Sequence, residues 1–167
     1  MPAGYERHTE LPRVLARARE LSARTLIFDV EPLVAWWDGS QQELDQGVAA
    51  IIGELGELPA LLAVVFATNA ARRPSAPPRV PGVRVTYLIS AGKPLRTAPY
   101  RELPRPGVVI GDQVPTDGLL AWRLGFTFLH WDPQMSGVPV GPRLMGLLGR
   151  LVRPLAFRRS GAPWHRS

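Results

Sequence analysis

The sequence predicts an α/β domain in which a mainly parallel sheet carries helices on both faces. Short, continuously apolar runs alternate with segments of helical spacing. Continuous runs of this kind suit strands buried on both faces, and the alternation with helices argues for a three-layer arrangement. A chain of 167 residues is long enough to enclose one core without staples.

Thr25 to Val30 is the first apolar run and carries an acid, Asp29, near its end. Leu61 to Ala67 is similar and leads into Thr68-Asn69, while Val83 to Leu88 alternates as a half-covered strand does. Gly107 to Ile110 runs into Gly111-Asp112, and Phe126 to His130 follows a glycine. Between these runs, Leu11 to Leu21 and Gln41 to Leu58 have apolar residues at helical spacing. In the second, Leu44, Val48, Ile51, Ile52 and Leu55 share a face. Ser40 and Glu43 form a capping-box pattern ahead of it. Pro115 to Leu124 reads as a short helix stopped by Gly125. Arg72 to Pro81 is proline-rich and reads as a loop.

Composition narrows the chemistry. With no cysteine, disulfides, thiolate metal sites and cysteine nucleophiles are excluded. The N-terminal stretch mixes acids and arginines, so it lacks the apolar core of a signal peptide, and no window approaches the roughly 20 apolar residues of a membrane span. The expectation is a cytoplasmic protein. The formal charge of +6 is uneven: no acid follows Asp132, while Arg143, Arg150, Arg153, Arg158, Arg159 and Arg166 do. Such a segment either is a solvated basic tail or favours an anionic partner. The organisation expected is one domain over residues 1–139, then a basic amphipathic helix and tail over 140–167. That helix, with Val140, Leu144, Leu147, Leu148, Leu151 and Leu155 among arginines, either packs on the domain or lies on anionic lipid at the inner face of the membrane. Aromatic-basic interleaving and zinc spacing are missing, so no specific nucleic-acid partner is expected. His8, His130 and His165 show no metal-site spacing. Trp36 and Trp37 are adjacent and cannot both face the same way; one is expected in the core, and the other lines a substrate mouth or packs.

In open parallel sheets, ligands bind outside the carboxyl ends of the strands. There the chain sets Asp29 and Glu31, then Thr68 and Asn69, then Lys93, then Asp112 and Asp117. These residue types suit phosphoryl transfer, which needs a nucleophile, hydrogen-bond donors, a cationic side chain and a divalent cation held by hard oxygen ligands.

That pattern resembles the haloacid dehalogenase superfamily: an apolar strand ending in D-x-D, a strand ending in Ser/Thr, a Lys, and a strand ending in G-D with a later Asp. Gly111-Asp112-Gln113-Val114-Pro115-Thr116-Asp117 is similar to the G-D-Q-x-x-T-D signature of the small capless YqeG-like branch. Arg123-Leu124-Gly125, Lys93-Pro94 and Thr68-Asn69 also match that branch, and the likeness covers roughly Leu11 to Pro133. The resemblance implies a three-layer Rossmannoid domain without a large cap, in which Asp29 attacks phosphorus. It implies Mg²⁺ held by Asp29, Asp112 and the backbone carbonyl of Glu31, with Asp117 completing the metal shell through water or orienting Lys93. Glu31 is then the acid/base, and Thr68, Asn69 and Lys93 hold the substrate. It further implies a phosphorylated small molecule or phospholipid head group as substrate, with phosphatidylglycerophosphate the nearest activity of the branch.

One departure stands out. Where the branch has D-x-D-N-T-L, this chain has Asp29-Val30-Glu31-Pro32-Leu33. The extra methylene shifts a carboxylate by about 1.5 Å, and displacements near 1 Å cost roughly 100-fold in rate. Glu31 is therefore either a displaced acid/base or the mark of a degenerate member that binds or scaffolds.

Overall fold

Twelve segments of regular structure are described by a computed structural model covering residues 4–56, 58–133 and 137–157. In chain order the strands and α-helices are β1 (Tyr5–His8), α1 (Leu11–Glu20), β2 (Thr25–Asp29), α2 (Gln41–Leu55), β3 (Ala63–Ala67) and β4 (Arg84–Leu88). After these come β5 (Gly107–Gly111), α3 (Leu119–Leu124), β6 (Thr127–Trp131) and α4 (Val140–Ala156). The six strands form one sheet in the order β1-β6-β5-β2-β3-β4, with every neighbouring pair parallel. All five residues of β2, β3 and β5 are buried, as their unbroken apolar character requires of central strands.

Side-chain alternation divides the interior into two cores, giving a three-layer, Rossmann-like α/β fold. Leu26, Phe28, Val64, Phe66, Val108 and Ile110 point to one face, where they meet Val14 and Ala18 of α1 and Leu44, Val48, Ile51 and Leu55 of α2. Ile27, Val65, Val109 and Phe128 point to the other, against Leu120, Ala121 and Leu124 of α3. Each large apolar side chain buried this way contributes about 1.5–3 kcal/mol.

Local signals explain the boundaries. Ser40 caps α2 through Glu43 N, and the Glu43 carboxylate accepts from Ser40 N, so the capping box forms as expected. Gly125 ends α3 at φ 66°, a backbone state that glycine enters without a Cβ penalty. The segment expected as one helix from Pro115 is instead a π-type turn, Val114–Gly118, followed by α3. Strand β1 was not legible in the sequence: Tyr-Glu-Arg-His has no apolar run, and it is a half-exposed edge strand held by pairing with β6.

The proline-rich loop after β3 is anchored rather than loose. Gln41 of α2 donates to Arg73 O, and Asp45 accepts from Ser75 N at 2.8 Å. Arg72 reaches across to the carbonyls of Trp36 and Gly39, both at 2.8 Å, tying this loop to the one after β2. Beyond the strands, α4 packs with Gly149 against Val114 and Pro115 of the π-turn. Residues 158–167, with Arg158, Arg159, His165 and Arg166, lie outside the described residues.

Candidate active site and metal centre

The chain leaves β2 for β3 and β4 on one side and returns to β5 on the other, so the strand order reverses between β2 and β5. At such a switch point the connections diverge and leave a crevice beyond the strand ends. Asp29 closes β2, and Asp112 follows the last residue of β5.

Lys93 draws the cluster together. Its ammonium donates to Asp29 Oδ1 and to Asp117 Oδ1, each at 2.7 Å, with all three side chains nearly or fully enclosed. Gly92, at φ 67°, turns the loop so that Lys93 can enter. The backbone of Lys93 is clamped by Asn69, whose Oδ1 accepts from Lys93 N at 2.9 Å while its Nδ2 donates to Lys93 O. Asp117 is delivered by the π-turn, and its Oδ2 accepts from Gln113 N at 3.3 Å. Turns of this type recur where a helix must place a functional side chain.

Gly111 makes room for Asp117. A Cβ there would lie 2.8 Å from Asp117 Cβ and closer still to its carboxyl group. Gly111→Ala is therefore expected to push Asp117 off Lys93 and to cost about 1–3 kcal/mol, the usual range for overpacking. A urea melt checks this; an unchanged midpoint would show that the carboxylate yields without loss.

The carboxylates divide their oxygens unequally. Asp29 Oδ1 accepts from Val30 N and Lys93, and no hydrogen bond among the described residues takes Oδ2. Both oxygens of Asp117 are engaged. Asp112 leaves Oδ1 buried with no hydrogen-bond partner. Oxygens of Asp29, Asp112 and Asp117 lie within 4.8 Å of one another, close enough to share one cation. A buried orphan oxygen beside hard oxygen donors is a set that could hold a metal ion. Asp29, Asp112 and Asp117 are the residues that could hold it, and Asp117 also spends both its oxygens on Lys93 and Gln113 N.

Electrostatics point the same way. Burial, then repulsion from Asp117, pushes the Asp29 carboxyl well above its usual range against the pull of Lys93. Burial, then Asp117, raises Asp112 to about 8. Burial opposes the Lys93 charge, yet Asp117 and Asp29 together hold its ammonium above the ordinary lysine range. With all three acids ionised, one lysine leaves an excess of negative charge; the raised carboxyls express that excess, and a cation would offset it.

Glu31 sits apart from these acids. Its Oε2 accepts from the Thr68 hydroxyl at 2.6 Å, and its Oε1 lies 4.0 Å from Arg72. Thr68 Oγ1 also accepts from Ala70 N. The hydroxyl expected to meet substrate thus donates to Glu31. The turn after Asp29, which lacks the Asn and Thr of the resembling motif, is closed by backbone bonds from Val34 and Ala35 to Val30 O and by burial of Pro32, Leu33 and Val34.

A cleft of about 190 Å³ opens over this arrangement, lined by Asp29, Glu31, Asn69 and Lys93 and also by Trp37, Gln113 and Thr116. All seven sequence-chosen residues therefore gather at one strand-end edge: Asp29, Lys93, Asp112 and Asp117 in one cluster, with Glu31, Thr68 and Asn69 beside it. Sequence reasoning missed Gln113 and Thr116 as cleft-lining groups and Arg72 as the cation beside Glu31. Gln113 and Thr116 lie inside the Gly111–Asp117 motif, so their spacing was a usable signal, whereas Arg72 in a proline-rich loop gave none.

Comparison of the chain with protein-family models, with curated proteins and with solved structures finds no match.

Proposed function

We propose that the chain is a Mg²⁺-dependent phosphomonoester hydrolase of the haloacid dehalogenase type with Asp29 as nucleophile. The observation that carries this reading is the Lys93 bridge to Asp29 and Asp117 beside the unpartnered Asp112 oxygen, at the point where the strand order reverses. Mg²⁺, when bound, supplies positive charge that lets an anionic nucleophile approach an anionic phosphate.

The chain's own residues do the rest. Lys93 fixes Asp29 by one oxygen and leaves Oδ2 for attack on phosphorus. As the Asp29–phosphorus bond forms, the ester P–O bond breaks and the leaving alkoxide takes a proton, for which Glu31 is the cleft-lining acid. Water then cleaves the aspartyl phosphate and releases inorganic phosphate. The substrate class is a phosphorylated small molecule or a phospholipid head group, with phosphatidylglycerophosphate the first to try.

Phosphate release from phosphatidylglycerophosphate and a panel of simple phosphomonoesters tests this. Wild type is expected to release phosphate with Mg²⁺ and to lose that activity in EDTA. Asp29→Asn is expected to fall by at least about 10⁴-fold, the scale of losing a covalent nucleophile. Equal background rates for both proteins across the panel would reject it.

The bond from Thr68 to Glu31 favours a second reading, a degenerate member that binds phosphate without turning it over. That protein would bind Mg²⁺ and a phosphate analogue in calorimetry while releasing no phosphate.

A further inference from the structure

Helix α4 presents three distinct sides. Met145, Gly149 and Val152 form the seam that meets the domain, and Gly149 is its buried point. Leu144, Leu147, Leu148, Leu151 and Leu155 recur at steps of three and four, hence on one stripe. That stripe faces solvent: the five leucines are 43–70% exposed, and Val140 extends it at 80%. Globular proteins scatter exposed apolar residues singly, so a contiguous stripe marks an interaction surface.

The third side is cationic. Arg143, Arg150 and Arg153 follow one flank of the helix and line a cavity of about 500 Å³ shared with Arg7, His130 and Asp112. Asp112 connects that cavity to the acidic cluster. Arg153 is engaged with Tyr5, whereas Arg143 and Arg150 have no ion pair among the described residues. No acid follows Asp132 in the sequence.

We propose that α4 docks on an anionic lipid bilayer, its leucine stripe entering the interface and Arg143 and Arg150 holding lipid phosphates at the mouth of the cavity. Charge decides between occupants. A second copy of this chain would bring its own unpaired arginines and no acid on α4 to meet them, within a chain of formal charge +6. An anionic leaflet supplies the missing counter-charge along the flank and an apolar layer under the stripe. No described helix is long and apolar enough to cross a membrane, so the contact is peripheral. Docking stands apart from the proposed reaction.

Co-sedimentation tests it with the full chain carrying Asp29→Asn, so that turnover plays no part. The probes are vesicles of phosphatidylcholine alone and of phosphatidylcholine with roughly one third phosphatidylglycerol. Binding is expected on the order of 100-fold tighter to the anionic vesicles, and weaker in high salt. Leu147→Gln with Leu151→Gln changes two exposed residues, so folding by circular dichroism is unchanged while binding drops at least about tenfold. Arg143→Gln with Arg150→Gln removes most of the preference for anionic lipid. Binding indifferent to the leucine pair, a dimer in light scattering that the leucine pair dissolves, or a monomer that ignores both vesicles would each overturn the proposal.

Discussion

Replacing Lys93 by methionine is expected to destabilise the protein by about 3–5 kcal/mol at neutral pH, the cost of leaving a buried charge without its partner. The ammonium is the shared donor for Asp29 and Asp117, both enclosed, so one substitution strands two carboxylates at once. The same change is expected to reduce phosphate release to the background of Asp29→Asn, because only the neighbouring Val30 N–H then holds Asp29 Oδ1 and the cationic side chain at the nucleophile is gone. Denaturant melts and phosphate release check the two effects separately. The stability deficit should shrink on acidification. Without the ammonium, Asp29 is raised further than burial and Asp117 already raise it, and a carboxyl held above its unfolded value favours the folded state at low pH and loses that contribution as pH rises. A deficit below about 1 kcal/mol, the scale of an exposed ion pair, would mean that the bridge does not hold in solution.

The sheet was readable because its central strands are buried on both faces, which forces unbroken apolar runs in β2, β3 and β5. Edge strand β1 escaped because pairing with β6, not burial, holds it, and pairing leaves no pattern in Tyr-Glu-Arg-His. The site was readable for a related reason. Strand ends in a parallel sheet converge, so residues far apart in sequence, Asp29, Lys93 and Asp117, could be placed together from topology alone. What topology could not give is how the oxygens are shared. Glu31 and Asp29 are two residues apart, yet one carboxylate goes to Thr68 and Arg72 and the other to Lys93. That division depends on the turn through Pro32 to Val34 and on Arg72 crossing from the next loop, neither of which a strand-end rule encodes. Likewise, the spacing of the α4 leucines showed an amphipathic helix without saying which side meets the domain. Buried Gly149 against Val114 and Pro115 decides it: the helix packs through small and half-buried residues and turns its leucines out.

Magnesium is expected to raise the melting temperature far more at pH 8 than at pH 5, and the sign follows from the acids themselves. Asp112 titrates near 8, held up first by burial and then by Asp117, and Asp29 is also held well above the ordinary range. Unfolded, both return to about 3.9. Their contribution to stability is complete below that value and is lost as pH rises toward the folded one, so metal-free protein should weaken steadily from about pH 4 to pH 8. One such group changes stability by up to about 1.4 kcal/mol per pH unit across that window. A cation binds the ionised oxygens and so competes with the protons that occupy them at low pH. At 100 times its dissociation constant it adds about 2.7 kcal/mol, or roughly 5–10 °C for a chain of this size. Asp112→Asn removes the orphaned oxygen that draws the cation and one of the two raised carboxyls. It should therefore flatten the pH dependence and abolish the Mg²⁺ shift together. Scanning calorimetry of both proteins at the two pH values, with Mg²⁺ and with EDTA, separates the outcomes. A Mg²⁺ shift of equal size in wild type and Asp112→Asn would place the cation elsewhere on the molecule.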